Sequence, residues 1–315
     1  MKQHEFEKIT GSKFDLIDFS KVAQKCIWGP VELRRYLESN GVHLQPANFY
    51  SQFPTLEDIE TSFENTDNIM FCDPSVFDHE FLQKQLEEMI PYAKDFSPAK
   101  DEDPQQPHKF FLNNSQFSHS DAMAYYSLIK KKKPRRIVEI GSGFSTMIAR
   151  EAVSENGFGE IVCIEPFPRP FLKDVCHKLI QSRIQDVPIE NIVNLLDDND
   201  ILFIDSTHTV KAGSDCLWIY LKLLPAILRS EKKVLVHSHD IFLPSAIPKS
   251  FLVEHRLAWT EQYLLYAFLL FNAKTKVTFS SNYSALKLKD DLEKLHASHP
   301  EIIRGGGSLW FEVNL

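Results

Sequence analysis

Three groups of residues carry side chains suited to chemistry. The first is Glu139-Ile140-Gly141-Ser142-Gly143-Phe144-Ser145-Thr146. Glycines two apart allow a tight turn and close approach of a ligand to the backbone, and Ser145 or Thr146 can cap a following helix. The second is Glu165, at the end of the apolar run EIVCIE. An acidic residue there can accept hydrogen bonds from both hydroxyls of a ribose. The third pairs Asp205-Ser206-Thr207-His208 with His237-Ser238-His239-Asp240. His208 or His239 can take a proton from an acceptor group with a pKa near neutrality, beside Asp240. Alternatively, Asp205, His239 and Asp240 offer oxygen and nitrogen ligands to a divalent ion that lowers the pKa of an acceptor hydroxyl. His237, which alternates with His239 along an apolar run, is expected in the core.

These groups fall where β-type runs meet helical stretches. The runs are Arg136 to Ile140, Glu160 to Glu165, Lys178 to Ile184, Asp200 to Asp205 and Lys233 to His239, separated by stretches such as TMIAREAVSEN and CLWIYLKLLPAIL. Such alternation predicts an α/β fold, a doubly wound Rossmann-like sheet with parallel pairing, and a ligand crevice at the carboxyl ends of the strands. Both His/Asp groups then face that crevice. Thr275 to Ser281 and Gly306 to Val313 read as two further strands with no crossover helix to make them parallel, hence as an antiparallel closing pair.

Residues before the alternation give no nucleotide-type unit, only short helical patterns and an aromatic loop, Asn48, Phe49, Tyr50 and Phe53. Lys94 to His108, rich in Pro, Gln and charge, reads as an exposed linker. The expected organisation is a mostly helical accessory region, 1–108, that covers the acceptor site, followed by a catalytic domain, 109–315. Trp259, Glu261, Gln262 and Tyr263, like the aromatic loop, are candidates to line an acceptor pocket. Ser118, His119 and Asp121 border the predicted cofactor mouth, with capping the simpler account of Asp121.

Over 315 residues, 43 Asp and Glu against 35 Lys and Arg leave a formal charge of −8, which disfavours nucleic acid and anionic lipid as general partners. The basic run at Lys130 to Arg136 is expected to end a helix, where cations suit the dipole. Five scattered cysteines without a C-x-x-C argue against a disulfide framework or structural zinc and suit a reducing compartment. With no signal-peptide pattern at the N-terminus and no membrane-length apolar segment, a cytoplasmic location is expected.

The combination E-I-G-S-G-F-S-T, I-E-P at the second run and F-I-D-S-T-H at the fourth resembles class I S-adenosylmethionine-dependent methyltransferases, in particular a bacterial group of small-molecule methyltransferases. N-F-Y-S-Q-F-P, H-S-H-D-I-F-L-P, W-T-E-Q-Y and G-G-G-S-L-W extend the likeness. The resemblance implies a seven-stranded sheet with an antiparallel last pair and S-adenosylmethionine as cofactor. It implies that Gly141, Ser142 and Gly143 approach the methionine part, with Ser145 and Asp205 at the same site and Glu139 beneath. Glu165 would bind the ribose, and Gln185 with Asp186 would flank the adenine. Metal-dependent relatives place an Asp-Asn pair after the fifth strand, where this chain has Asp240-Ile241 and could use His239 with Mg or Mn instead.

The expected function is methyl transfer to a small-molecule acceptor, at oxygen, with a homodimer through the N-terminal region an added expectation. Two alternatives stand beside it. An NAD(P)-dependent oxidoreductase is permitted by Glu165 but disfavoured by Glu139, whose carboxylate repels a pyrophosphate and suits a cationic amino-acid tail. A non-catalytic adenosyl-binding protein would leave the His/Asp groups without a task.

Overall fold

A strand that is apolar on both sides is stable inside a sheet covered on both faces, and the central runs of this chain are of that kind. The computed structural model describes every residue except Asn68, Ser115 and Ser118, and the side chain of His119. It divides into two compact units, Met1–Ser62 and Phe63–Leu315.

The first unit holds α1 (Gln3–Thr10), α2 (Leu16–Ile27), α3 (Val31–Ser39) and α4 (Leu56–Glu60). Asp15 caps α2 by accepting from the amides of Ile17 and Asp18, and Thr55 with Asp58 forms a capping box on α4. Phe6 and Ile59 are its buried apolar side chains. The Phe49 and Tyr50 rings lie 4.2 Å apart and are exposed.

The second unit opens with α5 (His79–Ala93) and α6 (His119–Lys132). There follow β1 (Arg136–Ile140), α7 (Phe144–Asn156), β2 (Glu160–Ile164), α8 (Leu172–Val175), β3 (Lys178–Ile180) and α9 (Ile189–Leu195). Next come β4 (Ile201–Ile204), α10 (Asp215–Trp218), a π-helical turn (Ile219–Leu223), α11 (Leu224–Ser230) and β5 (Val234–Ser238). The chain closes with α12 (Lys249–Val253), α13 (Glu261–Leu269), β6 (Thr275–Ser280), α14 (Ser281–Lys287), α15 (Lys289–Leu295) and β7 (Leu309–Val313).

The seven strands are ordered β3-β2-β1-β4-β5-β7-β6. The first five are parallel, and β7 runs antiparallel to both β5 and β6, as the closing pair of runs implied. The third strand is shorter than its run: β3 stops at Ile180, and Ile184–Asp186 is a 3-10 turn. Ile180 pairs with Ile164, the last residue of β2, beyond which Pro166 cannot supply a ladder donor.

The predicted linker is an exposed loop on the second unit, so the unit boundary lies at Ser62/Phe63 and not at His108. Phe96 within the loop and Ala93, Phe110 and Leu112 on either side of it are buried, and the Leu112 amide donates to the Ala99 carbonyl at 2.9 Å. A solvated loop and a linker share one composition; what separates them is long-range packing, here of α5 on α6 and α15.

The basic run is engaged within the fold. Lys130 pairs with Glu155 at 2.9 Å, Lys131 with Glu88 at 2.7 Å, Arg136 with Glu160 at 2.9 Å, and Lys132 with Glu312. α6 ends within it, as its charge suggested. Among the described residues no helix is long and apolar enough to cross a membrane.

Candidate active site

Strand register brings the chemical residues to one edge. Ile140 pairs with Ile164 on β2 and with Ile204 on β4, and Ile204 pairs with Ser238 on β5. The next residues, Gly141, Glu165, Asp205 and His239, therefore emerge together at the carboxyl ends of the strands. Gly141 adopts φ +78°, and a Cβ there would stand 1.7 Å from the Asp205 carbonyl oxygen. The backbones of the two turns thus touch only because residue 141 has no side chain.

A cavity of about 410 Å³ opens at this edge. Gly141, Glu165, Gln185 and Asp205 line it, together with Thr207 and Lys211. Glu165 is held in place by the amides of Phe167, at 2.8 Å, and Ser142, at 3.3 Å. Gln185 Nε2 donates to the Gly213 carbonyl at 3.2 Å. Ser142, Gly143, Ser145 and Asp186 are not among the lining residues. Asp186 instead accepts twice from Arg183, at 2.8 and 3.1 Å, and Ser145 is buried in the first turn of α7. Among the described residues Ser142 Oγ is buried with no hydrogen-bond partner, and a Cβ on Gly143 would meet only Arg169 Nε, at 3.8 Å.

Glu139 lies beneath the glycine turn, fully buried. It accepts from Thr146 Oγ1 at 2.5 Å and Tyr125 Oη at 2.9 Å, and Cys163 Sγ is 3.8 Å away. Burial pushes its carboxyl up to about 7 against the pull of these donors. Thr146 also accepts from the Gly143 amide at 3.2 Å, so one hydroxyl links the turn to the carboxylate below.

Beyond Asp205 the His/Asp groups converge. His208 Nε2 lies 3.3 Å from Asp205 Oδ1 and 3.4 Å from Asp240 Oδ2. His239 Nδ1 lies 3.7 Å from Asp205 Oδ1 and 3.7 Å from Asp240 Oδ1. Both rings are buried, and each is gripped from behind by a buried carboxylate: His208 Nδ1 by Glu261 at 2.9 Å, and His239 Nε2 by Asp121 at 3.3 Å. His208 and Asp240 have φ of 56° and 54°, left-handed conformations unusual for residues other than glycine. Strain of this kind persists only where surrounding contacts enforce it.

Neither catalytic candidate histidine has the near-neutral pKa expected of it. Burial works against protonation of His208, but hydrogen bonds to Asp205 and Glu261 carry it to about 10. His239 is likewise raised well above its ordinary value, burial being outweighed by Asp240, Asp205 and Asp121. Burial would raise Asp205, yet the two rings hold it well below the usual carboxylate range. Asp240 is raised, chiefly by burial. The carboxylates around them thus bias both histidines toward the protonated form. His237 is the core residue expected: stacked 4.0 Å from Phe203, bonded through Nε2 to Ser308 Oγ at 2.9 Å, and lowered by burial and by His239.

Asp205, His239 and Asp240 place one ligand atom each within 4.8 Å of one another, a spacing that suits a divalent cation.

A family described as "Methyltransferase domain" matches residues 138–241. An uncharacterized protein of Archaeoglobus fulgidus is 30% identical over 155 residues, which is 47% of this chain and 69% of the relative. The chain belongs to the class I S-adenosylmethionine-dependent methyltransferases. Solved structures similar to it include the plantazolicin methyltransferase BamL, bound to a triazolic desmethylPZN analog and SAH. That chain is 14% identical, with 75% of this chain and 99% of that one covered and a TM-score of 0.38. An O-methyltransferase from Bacillus cereus in complex with SAH is 12% identical, with 90% and 97% covered and a TM-score of 0.34.

Two residues of this methyltransferase that the sequence placed at the pocket and the cofactor mouth, Glu261 and Asp121, instead each grip a histidine. Asp121 is no cap: α6 begins at His119, and the Asp121 carboxylate accepts from Ser281 Oγ at 2.5 Å, the Gly307 amide at 2.9 Å and the Ser308 amide at 3.2 Å while meeting His239. Glu261 opens α13 and takes Tyr220 Oη at 2.8 Å besides His208. An acidic residue in a first helical turn also reads as an ordinary dipole partner, so neither pairing had a local signal. Of the other residues named beside them, Gln262 straps the Phe242–Ser245 loop, accepting from the Phe242 amide at 3.0 Å. Trp259 packs 4.7 Å from His208, and Tyr263 lies against Phe71. Ser118 and the side chain of His119 lie outside the described residues.

Proposed function

We propose that the enzyme methylates an oxygen of a small-molecule acceptor, with cofactor bound in the cavity at the glycine turn and the acceptor over the His/Asp cluster. One observation carries this: Asp205 both lines the cavity and meets His208 and His239, so one carboxylate joins the predicted cofactor space to the predicted acceptor space. The residues present fit S-adenosylmethionine. Ser142 Oγ is an unpartnered buried group at the turn, Gly143 leaves room above it, Glu165 faces the cavity as a ribose acceptor, and Gln185 borders the same space as an adenine neighbour. Glu139 below suits a cationic tail and repels a pyrophosphate, which disfavours a dinucleotide.

Bound S-adenosylmethionine supplies an electrophilic methyl group. The protein's part is to orient the acceptor and manage its proton. His208 and His239, held by Glu261 and Asp121, direct Nε2 and Nδ1 to the same place, where they stabilise negative charge on the acceptor oxygen. Asp240, partly exposed at the rim, takes the proton.

A second reading is favoured by the grouping of Asp205, His239 and Asp240, which could hold Mg²⁺ or Mn²⁺ in place of that positive charge. Such an ion would act as a Lewis acid on the acceptor hydroxyl.

The test is calorimetry with S-adenosylmethionine and S-adenosylhomocysteine, with EDTA and then with metal, followed by mass spectrometry of methyl transfer to a panel of hydroxylated and amine acceptors. Micromolar binding and an oxygen-linked methyl are expected. Absence of binding, or tight binding of NADH instead, overturns the reading.

A further inference from the structure

Three aromatic side chains form a row that starts at the His/Asp cluster. Trp259 packs against His208 with ring centres 4.7 Å apart, Phe251 of α12 lies 5.3 Å from Trp259, and Phe242 lies 5.2 Å from Phe251. Phe242 follows Asp240 by two residues, and Asp240 Oδ2 is 3.4 Å from His208 Nε2. The contacts therefore run in a closed circuit, from His208 through the three rings to Asp240 and back to His208. All three rings are partly exposed, and among the described residues they stand outside the buried apolar core. Core packing does not account for them, and a partly exposed apolar row beside polar, reactive groups is the composition of a ligand site.

The backbone fixes this row to both chemical turns. The Thr260 amide, next to Trp259, donates to the His208 carbonyl at 2.8 Å, and Thr260 Oγ1 accepts from the Val210 amide at 2.7 Å. The Phe242 amide donates to Gln262 Oε1 at 3.0 Å, while its carbonyl accepts from Asn282 Nδ2. The Leu257 amide donates to the Phe251 carbonyl at 2.8 Å, which ties α12 to the chain leading into Trp259. A surface held in this way binds a ligand with little ordering cost.

We propose that this row is the acceptor subsite and that it takes a flat aromatic ring bearing the hydroxyl, a phenol in chemical class. The proposal deepens the reading of the His/Asp cluster as the acceptor site and rests on it. The rings are inclined to their neighbours by 57°, 59° and 68°, so none of the three contacts is a face-to-face stack and the row keeps ring faces for a planar guest. Such a guest gains offset and edge-to-face contacts that a saturated ring of the same size does not make. From this row its oxygen can reach the end where His208 Nε2 and Asp240 Oδ2 meet. A phenolic proton, with a pKa of about 10, also suits removal by a carboxylate better than that of an aliphatic alcohol.

The experiment titrates the full chain by calorimetry, with and without S-adenosylhomocysteine, using phenol, catechol and 2-naphthol and their saturated counterparts cyclohexanol, cyclohexane-1,2-diol and decahydro-2-naphthol. The saturated partners carry at least as much apolar surface, so burial of area alone does not favour the flat rings. At least one flat ring is expected to bind about tenfold or more tightly than its counterpart. Phe251→Ala should weaken that binding by about tenfold and leave affinity for S-adenosylhomocysteine unchanged. Phe251→Leu, which keeps apolar bulk, should fold like the parent and lose the preference for the flat ring. The proposal is overturned if no flat ring binds, if flat and saturated rings bind alike, or if both Phe251 variants keep the preference of the parent. Failure to bind S-adenosylhomocysteine would instead remove the cofactor reading, while the titrations without it still decide whether the row takes an aromatic ring.

Discussion

Glu261 Oε2 lies 2.9 Å from Nδ1 of His208, with both side chains buried. The backbone repeats the contact, since the His208 carbonyl accepts from the amides of Thr260, at 2.8 Å, and Glu261, at 3.1 Å. The start of α13 therefore sets both the left-handed turn at His208 and the direction of its ring. Glu261→Leu would leave the imidazole and the Tyr220 hydroxyl without their acceptor in a buried place, at a cost of about 3 kcal/mol. Glu261→Gln keeps an oxygen for Nδ1–H and should cost less. Urea unfolding of the two variants checks the order, and equal losses would remove the hydrogen bond as its cause.

Gly141 and Gly143 differ in what surrounds them, so alanine should act differently at each. At Gly141 the new Cβ overlaps the Asp205 carbonyl, and folding itself should suffer by more than about 3 kcal/mol. At Gly143 the space is open toward the predicted cofactor. Gly143→Ala should fold with stability within about 1 kcal/mol of the parent, yet bind S-adenosylhomocysteine at least about tenfold more weakly. Unchanged calorimetric affinity would separate Gly143 from the site.

Glu139 makes stability depend on pH in an unusual direction. Its folded pKa, about 7, exceeds the 4.5 of an ordinary glutamate, so between these values the folded chain holds a proton that the unfolded chain has released. The contribution is fully present below pH 4.5 and is lost as pH rises through 7, about 3 kcal/mol in all. Glu139→Gln should abolish this component and gain stability relative to the parent at pH 8. Unfolding curves from pH 5 to 8 with identical slopes for both proteins would sink the assignment.

Metal binding is separable from catalysis. If Asp205, His239 and Asp240 hold a divalent ion, calorimetry with Mn²⁺ should show binding that Asp240→Asn and His239→Ala weaken by about tenfold or more. Absence of heat in the parent protein would leave the two imidazolium groups as the site's positive charge.

What the sequence determined by itself is local: the parallel strands from uninterrupted apolar runs, the glycine turn from its spacing, and the gathering of Gly141, Glu165, Asp205 and His239 at strand ends. Each depends on neighbouring residues and on the rule that parallel strands end at a common edge. The boundary at Ser62, the short β3 and the loop character of Lys94 to His108 required knowing which apolar side chains pack across the fold. So did the partners of the histidines. Asp121 and His239 stand 118 residues apart, Glu261 and His208 53 apart, and a carboxylate in a first helical turn has the same local pattern whether it faces water or a buried ring. Tertiary structure alone removed those carboxylates from solvent, and their placement beside the imidazoles raised both histidines above the expected neutral range.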